Sequence, residues 1–261
     1  MRSLSIGATG MLAQQTNVEV ISNNIANMST TAFKRQRAEF QDLLYQNVVR
    51  PGSQSSDTGT IVPSGIQLGA GAKLAAVYRI NEQGEVQITD NKLDLAINGR
   101  GYFQVEMPDG TTSYTRAGSL QLNADGEIVT NNGYRLLPSI VIPPETSAIT
   151  INNSGEVSVK LDGQITPTSV GRIETATFAN ESGLEAIGGN LFLETPASGT
   201  AVTGNPGSAG FGTIQQGALE TSNVNIVSEI TNLIAAQRAY EMNSKVIQAS
   251  DQMMSALNQM R

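Results

Sequence analysis

The residues of this sequence best placed to do chemistry are carboxylates. Asp90 with Asp94, and Glu82 with Glu85, are close enough along the chain to serve as acid and base in glycoside hydrolysis. Among 23 acidic residues such pairs arise by chance, and a chain with no tryptophan and only 5% aromatic residues has little with which to line a sugar cleft. There are no cysteines and no histidines. That removes thiolate nucleophiles, disulfides, Cys-ligated zinc and iron–sulfur centres, the usual general base, and the Ser-His-Asp and Cys-His arrangements. Asn123, Asp125 and Glu127 lack the ligand series and terminal bidentate Glu of a calcium loop, so a hairpin turn is expected there. Gly69, Gly71 and Lys73 lack the spacing and the Lys-Ser/Thr pair of a phosphate loop. Asn27-Met28-Ser29 fits a glycosylation acceptor, a pattern common by chance. Lys34, Arg35 and Arg37 form a basic cluster. At a net charge of -7 and a pI near 4.7, it reads as making local or intersubunit ion pairs rather than binding nucleic acid. The expectation is a non-enzyme without cofactor, metal or catalytic residues.

The elements that would position any site divide by proline and charge. All nine prolines lie between Pro51 and Pro206, and the last glycine is Gly217. Residues 1–28 carry Arg2 and Glu19; residues 224–261 carry Glu229, Arg238, Glu241, Lys245, Asp251 and Arg261. Each end sums to zero, so the whole negative charge sits in the middle. Leu4, Met11, Val18 and Ile25 recur every seven residues, widened by Ala8, Leu12 and Ile21. Ile226, Leu233, Tyr240, Ile247 and Met254 repeat the pattern, with Ile230 and Leu257 alongside. The spacing predicts helices over 4–28 and 224–258, with Thr221, Ser222 and Asn223 as candidate N-caps of the second. Two seven-residue repeats predict a short antiparallel coiled coil that joins the termini.

The middle predicts strands. Val86–Ile88, Tyr102–Val105, Ile149–Ile151, Glu156–Val159 and Leu191–Leu193 are β-rich, and Asn98-Gly99, Asp109-Gly110, Asp125-Gly126, Asn132-Gly133 and Asp162-Gly163 are turn dipeptides between them. Residues 46–75 and 195–217, rich in Gly, Ser and Thr, read as extended loops. The fold class is α+β: N- and C-terminal helices pairing as a coiled coil, a central all-β antiparallel domain of barrel or sandwich type, and extended connecting segments. The boundaries are 1–30 for the first helix, 31–75 for the connecting segment, 76–210 for the β-domain, 211–223 for a return connector and 224–261 for the second helix. No continuous apolar run marks a cleaved signal in the first twenty residues, and none approaches the ~18 residues of a membrane span.

Off the stripes, both helices carry Asn, Gln, Ser, Thr and Ala where a solvated helix carries Lys and Glu. Uncharged polar side chains hydrogen-bond their neighbours without the cost of burying an ion. The reading is a helix pair buried on most sides by copies of itself, with an ordinary docked hairpin as the alternative.

SIGATGMLAQQ at 5–15, VISNNIAN at 20–27 and FKR at 33–35 resemble the N-terminal motif of bacterial flagellar rod and hook proteins. GALETSNVN at 217–225 and AQRAYEMNSK at 236–245 resemble the C-terminal motif of the same family. Asn23, Asn24, Asn27, Phe33, Lys34, Arg238, Tyr240 and Asn243 are the motif residues. LDLAINGRGYFQV at 93–105 and YTRAGSL at 114–120 are similar to its β-domain blocks. AEFQDLLYQ at 38–46 and PSGIQLG at 63–69 look like distal-rod members rather than hook or proximal-rod members. Ala32 departs from the family, which usually has Gly there; glycine would allow a positive φ after the helix.

The resemblance implies a subunit that self-assembles helically into the rigid hollow driveshaft of the flagellum. It implies export without a cleaved signal, a place in the basal body from periplasm to outer membrane, and paired terminal helices lining the axial tube. The implied partners are copies of itself, proximal rod proteins, the hook protein, the peptidoglycan- and outer-membrane-ring proteins, the export apparatus and the rod cap, with neither nucleic acid nor direct membrane insertion. Leu4, Met11, Val18, Ile25, Ile226, Leu233, Tyr240, Ile247 and Met254 are the expected polymerisation seam, so Leu233→Asp or Ile247→Asp should block assembly and leave the β-domain folded. Pro51, Gly52, Ser55, Pro63 and Gly65 mark the segment implied to stiffen the rod. Alternatives are another flagellar axial protein, a secreted adhesin-like binding module, or a peptidoglycan hydrolase.

Overall fold

The computed structural model describes residues 2–52, 64–164 and 166–259, the side chain of Leu257 excepted. It has an N-terminal helix, a C-terminal helix and a central antiparallel β-domain, the expected α+β class. Helix α1 spans Arg2–Ala26 and helix α2 spans Ile226–Gln259. The chain divides into two compact units. The first is Met1–Ala26, Gln36–Tyr78 and Asn225–Arg261; the second is Asn27–Arg35 and Arg79–Val224. By sequence the first holds seven basic and seven acidic residues and the second nine and sixteen, so the second carries all of the -7.

In the first unit the helices pair along their length, and α1 also packs on strand Gln36–Asp42, which pairs with Ala72–Arg79. Strand Gln46–Val49 pairs antiparallel with Ile66–Leu68. The predicted N-caps of α2 are corrected by the structure. Asn225 caps the helix, its side-chain oxygen accepting from the Ser228 N–H at 3.1 Å. Thr221 and Asn223 instead bond within the second unit, to Glu85, Ile80 and Glu82 carbonyls.

The second unit is built on a branched antiparallel sheet. Its path runs Glu185–Gly188, Leu191–Leu193, Thr112–Thr115, Tyr102–Glu106, Arg135–Leu137, Ile128–Thr130 and Leu120–Leu122, with Thr175–Thr177 and Val202–Gly204 branching from Tyr102–Glu106. A three-stranded sheet, Thr146–Ile151, Glu156–Leu161 and Thr168–Arg172, shares one apolar core with it, including Phe103, Val105, Leu136, Ile151, Val157 and Ile173. Asp109-Gly110, Asp125-Gly126 and Asn132-Gly133 turn hairpins as expected. Asn98-Gly99 does not, because strand Leu95–Asn98 pairs with Thr213–Gln216 and Val86–Ile88 pairs with Ala218–Glu220. The chain returning from the β-domain thus completes two of its sheets.

One structural word recurs. INEQGEV at 80–86, LNADGEI at 122–128 and INNSGEV at 151–157 share the pattern Ile/Leu-Asn-x-x-Gly-Glu-Val/Ile. In the last two, the Asn side-chain oxygen accepts from the N–H groups two and four residues on, and its amide donates to the Glu carboxylate. A Cβ on any of the three glycines would fall on the carbonyl oxygen of a crossing segment: Thr221, Ile142 or Ile173. Each turn is therefore also a docking point for a third piece of chain.

Candidate assembly surface

Four contacts define the helix pair. Ser3 meets Ser250 (Oγ–Oγ 3.1 Å), Gly7 faces Ile247, Gly10 faces Asn243, and the Asn24 amide donates to Glu229 at 3.3 Å. One number rises as the other falls, so the pair is antiparallel over roughly 32 Å. Backbone proximity is what the glycines provide. A Cβ on Gly7 would sit 2.9 Å from Ile247 Cγ1, and one on Gly10 2.8 Å from Asn243 Nδ2. Helical glycine costs about 1 kcal/mol against alanine, which the close approach offsets. The interface is partly polar: Asn24, Glu229 and Ser250 are buried in it beside Ile21 and Ala236. Asn24 further binds both backbone groups of Gln36 at 2.8 Å, which fixes the chain after α1.

Leu4, Met11 and Ile25 each lie one residue past a contact position and are half-buried, as is Val18. Leu233, Ile247 and Met254 fall on the face of α2 turned to α1 and are half-buried; Ile226 and Tyr240 are exposed. Arg238 and Asn23 are exposed, and Asn243 lies against Gly10. Val18 and Tyr240 form the apolar part of a groove of about 490 Å³, edged by Gln15, Glu19, Gln237 and Glu241.

α1 is covered twice. Ala13 and Val20 are buried on a second face, the one that carries Thr9, whose hydroxyl occupies the space a Cβ on Gly71 would need. α2 is covered once. Away from its inner face, across a broad band of the helix, lie Val227, Ile230, Ile234, Met242, Val246 and Met253, exposed by 44–75%. They recur at intervals of three, four, seven and eight residues and form a broad second apolar stripe on one helix. The sequence reading registered Ile230 alone of these, although counting apolar residues into two stripes rather than one separates both faces. Leu44, Tyr45, Val48, Ile66 and Leu68, on and between the strands after α1, are also exposed. Near their turn, Pro51 and Gly52 are exposed and Gly65 is half-buried; a Cβ on Gly65 would fall on the Val49 carbonyl oxygen. Ser55 and Pro63 lie outside the described residues.

The remaining motif residues hold the second unit together. Glu220 is 1% exposed. It accepts from Lys34 Nζ at 2.5 Å, Arg116 Nε at 2.5 Å and the Gly84 N–H at 2.9 Å. Burial alone would raise its pKa, but Arg116, then Lys34 and the Gly84 N–H, hold it below the usual carboxylate range. Burial outweighs Glu220 at Lys34 and pulls that amine below its ordinary value. Arg116 also donates to the Ile97, Gly99 and Gly101 carbonyls. The Ala32 N–H donates to the Glu220 carbonyl, with Ala32 at φ +57°, the left-handed geometry for which glycine is suited. Asn223 binds the Arg35 N–H and the Ile80 and Glu82 carbonyls, and Asn27 accepts from the Thr30 hydroxyl. Half-buried Phe33 accepts the Asn223 N–H at its carbonyl. Sequence reasoning did not single out Glu220 and Arg116. The available signal was isolation: Glu220 is the one charged residue between Glu194 and Glu229, and Arg116 the one between Asp109 and Asp125.

Of the carboxylates considered for catalysis, Asp94 has structural partners. Asp94 accepts from the Thr89 hydroxyl and Asn91 amide, and at Glu82 it is the backbone carbonyl, not the carboxylate, that accepts from Lys34. Among the described residues no cluster of acidic side chains could hold a metal, and no helix is long and apolar enough to cross a membrane.

Comparison with known proteins matches three family models in chain order. They are the flagella basal body rod protein (residues 4–34), the flagellar hook protein FlgE/F/G D1 domain (96–159) and the flagellar basal body rod FlgEFG protein C-terminal (215–260). The chain is 60% identical over 261 residues to the flagellar basal-body rod protein FlgG of Caulobacter vibrioides, covering 100% of both. It is 51% identical to that of Agrobacterium fabrum over 258 residues, covering 99% of this chain and 98% of the relative. To that of Bacillus subtilis it is 39% identical over 262 residues, covering 98% of each.

Proposed function

This chain belongs to the flagellar basal-body rod protein family, and we propose that α2 is its polymerisation element, with one face for α1 and the opposite face for another subunit. It is a structural subunit of the bacterial flagellar distal rod, located in the basal body and assembling there with other basal-body components. The observation that carries the proposal is the second apolar stripe of α2. Six half-exposed apolar side chains would each contribute about 1 kcal/mol on burial, or ~6 kcal/mol before association entropy is subtracted. A face that meets a different face of the next copy propagates an open helix where the rotation between copies does not close a ring. The groove over Val18 and Tyr240 then receives part of a neighbour, and the seam residues of α1 and α2 are buried from outside as well as within.

In this reading the acidic second unit is the part that meets the peptidoglycan and outer-membrane rings. The axial neighbours are the proximal rod proteins below and the hook protein above, with delivery by the export apparatus, without a cleaved signal, under the rod cap. The exposed strands Gln46–Val49 and Ile66–Leu68 supply the intersubunit contacts that stiffen the shaft. Repeated burial of one helix accounts for side chains that are polar yet uncharged. The test is sedimentation of Ile234→Asp and Val227→Asp chains under conditions that polymerise the wild type. Both should remain as subunits with the β-sheet circular dichroism unchanged. Polymers of normal yield and length would refute the assignment.

A further inference from the structure

We propose that Met242 and Met253 are sites of oxidation by peroxide-class oxidants, and that their sulfoxides disable the free subunit for assembly while the assembled chain is protected. The proposal rests on the reading that the outer face of α2 is buried between subunits. Both side chains are 60% exposed on that face, whereas Met11, Met107 and Met254 are half-buried. Thioether oxidation follows access to sulfur. The sulfur lone pair attacks one peroxide oxygen, the O–O bond breaks, a sulfoxide forms, and the second oxygen leaves as water after proton transfer. Methionine loses two electrons and the peroxide gains them. The product is a strong hydrogen-bond acceptor in place of an apolar group. One helical turn away stand Ala239 and Val246 beside Met242, with Arg238 and Lys245 at its flanks, and Ala249 and Ala256 beside Met253. Burying a polar sulfoxide where the reduced chain buries a thioether opposes association. Met28, 41% exposed in the second unit, serves as an internal comparison.

The experiment treats the purified full-length chain with hydrogen peroxide, removes the oxidant, induces polymerisation and separates polymer from subunit by sedimentation. Peptide mass spectrometry then locates added oxygen in each fraction. Met242 and Met253 should oxidise ~10-fold faster than Met11 and Met107. Chains carrying those sulfoxides should be depleted several-fold from the polymer, while chains oxidised at Met28 alone enter it normally. A Met242→Leu/Met253→Leu chain should polymerise equally well with and without peroxide. The proposal is overturned if oxidised chains enter the polymer in proportion, or if the double leucine chain loses assembly to peroxide as the wild type does. The underlying reading fails separately: Met242 and Met253 of preformed, untreated polymer would then oxidise as fast as those of free subunits.

Discussion

Replacing Glu220 by Gln should be among the most damaging isosteric changes available to the second unit. The carboxylate holds two cations at 2.5 Å, and all three side chains are buried, with Lys34 and Arg116 at 3% and 5% exposure. Glutamine keeps the shape but removes the only negative charge of the three. Breaking a buried ion pair from one side costs about 3–5 kcal/mol, because a desolvated charge is left behind. Here two cations are left, but both keep neutral acceptors: Lys34 the Glu82 carbonyl, and Arg116 the three carbonyls of 97–101. The lower end, ~3 kcal/mol, is therefore expected. For a domain of this size ~1 kcal/mol moves the melting temperature by ~2–4 °C, so the loss should be ~6–12 °C by calorimetry. The acid limb supplies a second readout. A carboxylate whose folded pKa is depressed contributes stability that is present above its unfolded value, ~4.3, and is lost as pH falls through the lower folded value. The gap between wild type and Glu220→Gln should narrow as pH drops below ~4.3. Adding Lys34→Met should restore part of the loss by removing one stranded cation. A melting temperature within 2 °C of wild type at neutral pH, or a gap that does not change with acid, would refute the clamp.

Other sites give contrasting signs. Thr175 Oγ1 is buried without a hydrogen-bond partner, so Thr175→Val should leave stability unchanged or raise it by ~1 kcal/mol, read from the urea midpoint. Gly118→Ala should cost more than ~2 kcal/mol in the same titration, because the added methyl would fall on the Leu95 carbonyl oxygen, a rigid backbone atom. At Ala32 two effects oppose. Glycine relieves ~1 kcal/mol of left-handed strain but loses a buried methyl worth ~0.8 kcal/mol and gains freedom in the unfolded chain. Ala32→Gly should therefore shift the midpoint by less than ~1 kcal/mol in either direction.

Both helices were legible as elements because seven-residue apolar spacing and the absence of Pro persist for more than three turns. Which face meets which was less so. Apolar periodicity selected Leu4, Met11 and Ile25, yet the contacts fall one residue earlier, on Ser3, Gly10 and Asn24, with Gly7 between them. Small size sets the closest approach of two helices, and a hydrophobicity pattern does not register it. On α2 the chosen stripe does include the inner face, but a helix apolar on two sides gives a single-stripe reading no means to separate them. Five of the strands and most of the named turns followed from β-branched runs and Gly dipeptides, whereas Gln46–Val49, Ile66–Leu68, Val202–Gly204 and Thr213–Gln216 lie in the Gly/Ser/Thr-rich segments expected to be extended loops. Strand pairing did not follow, because Leu95–Asn98 finds Thr213–Gln216 more than a hundred residues away. The Glu220 clamp was hidden for the same reason: Lys34, Arg116 and Glu220 come from three separated segments and meet only when the return strand closes the sheet.

The most direct test of the two-faced helix uses the absence of cysteine. A single thiol introduced by Ile234→Cys reports on the outer stripe of α2, and one introduced by Gln164→Cys reports on an exposed turn of the second unit. Each chain is reacted with a maleimide as free subunit and as polymer. Burial between subunits predicts that assembly slows labelling at position 234 by ~10-fold or more, with position 164 changing far less. Equal labelling at position 234 in subunit and polymer would contradict it, and would leave the outer stripe of α2 facing solvent in the finished rod.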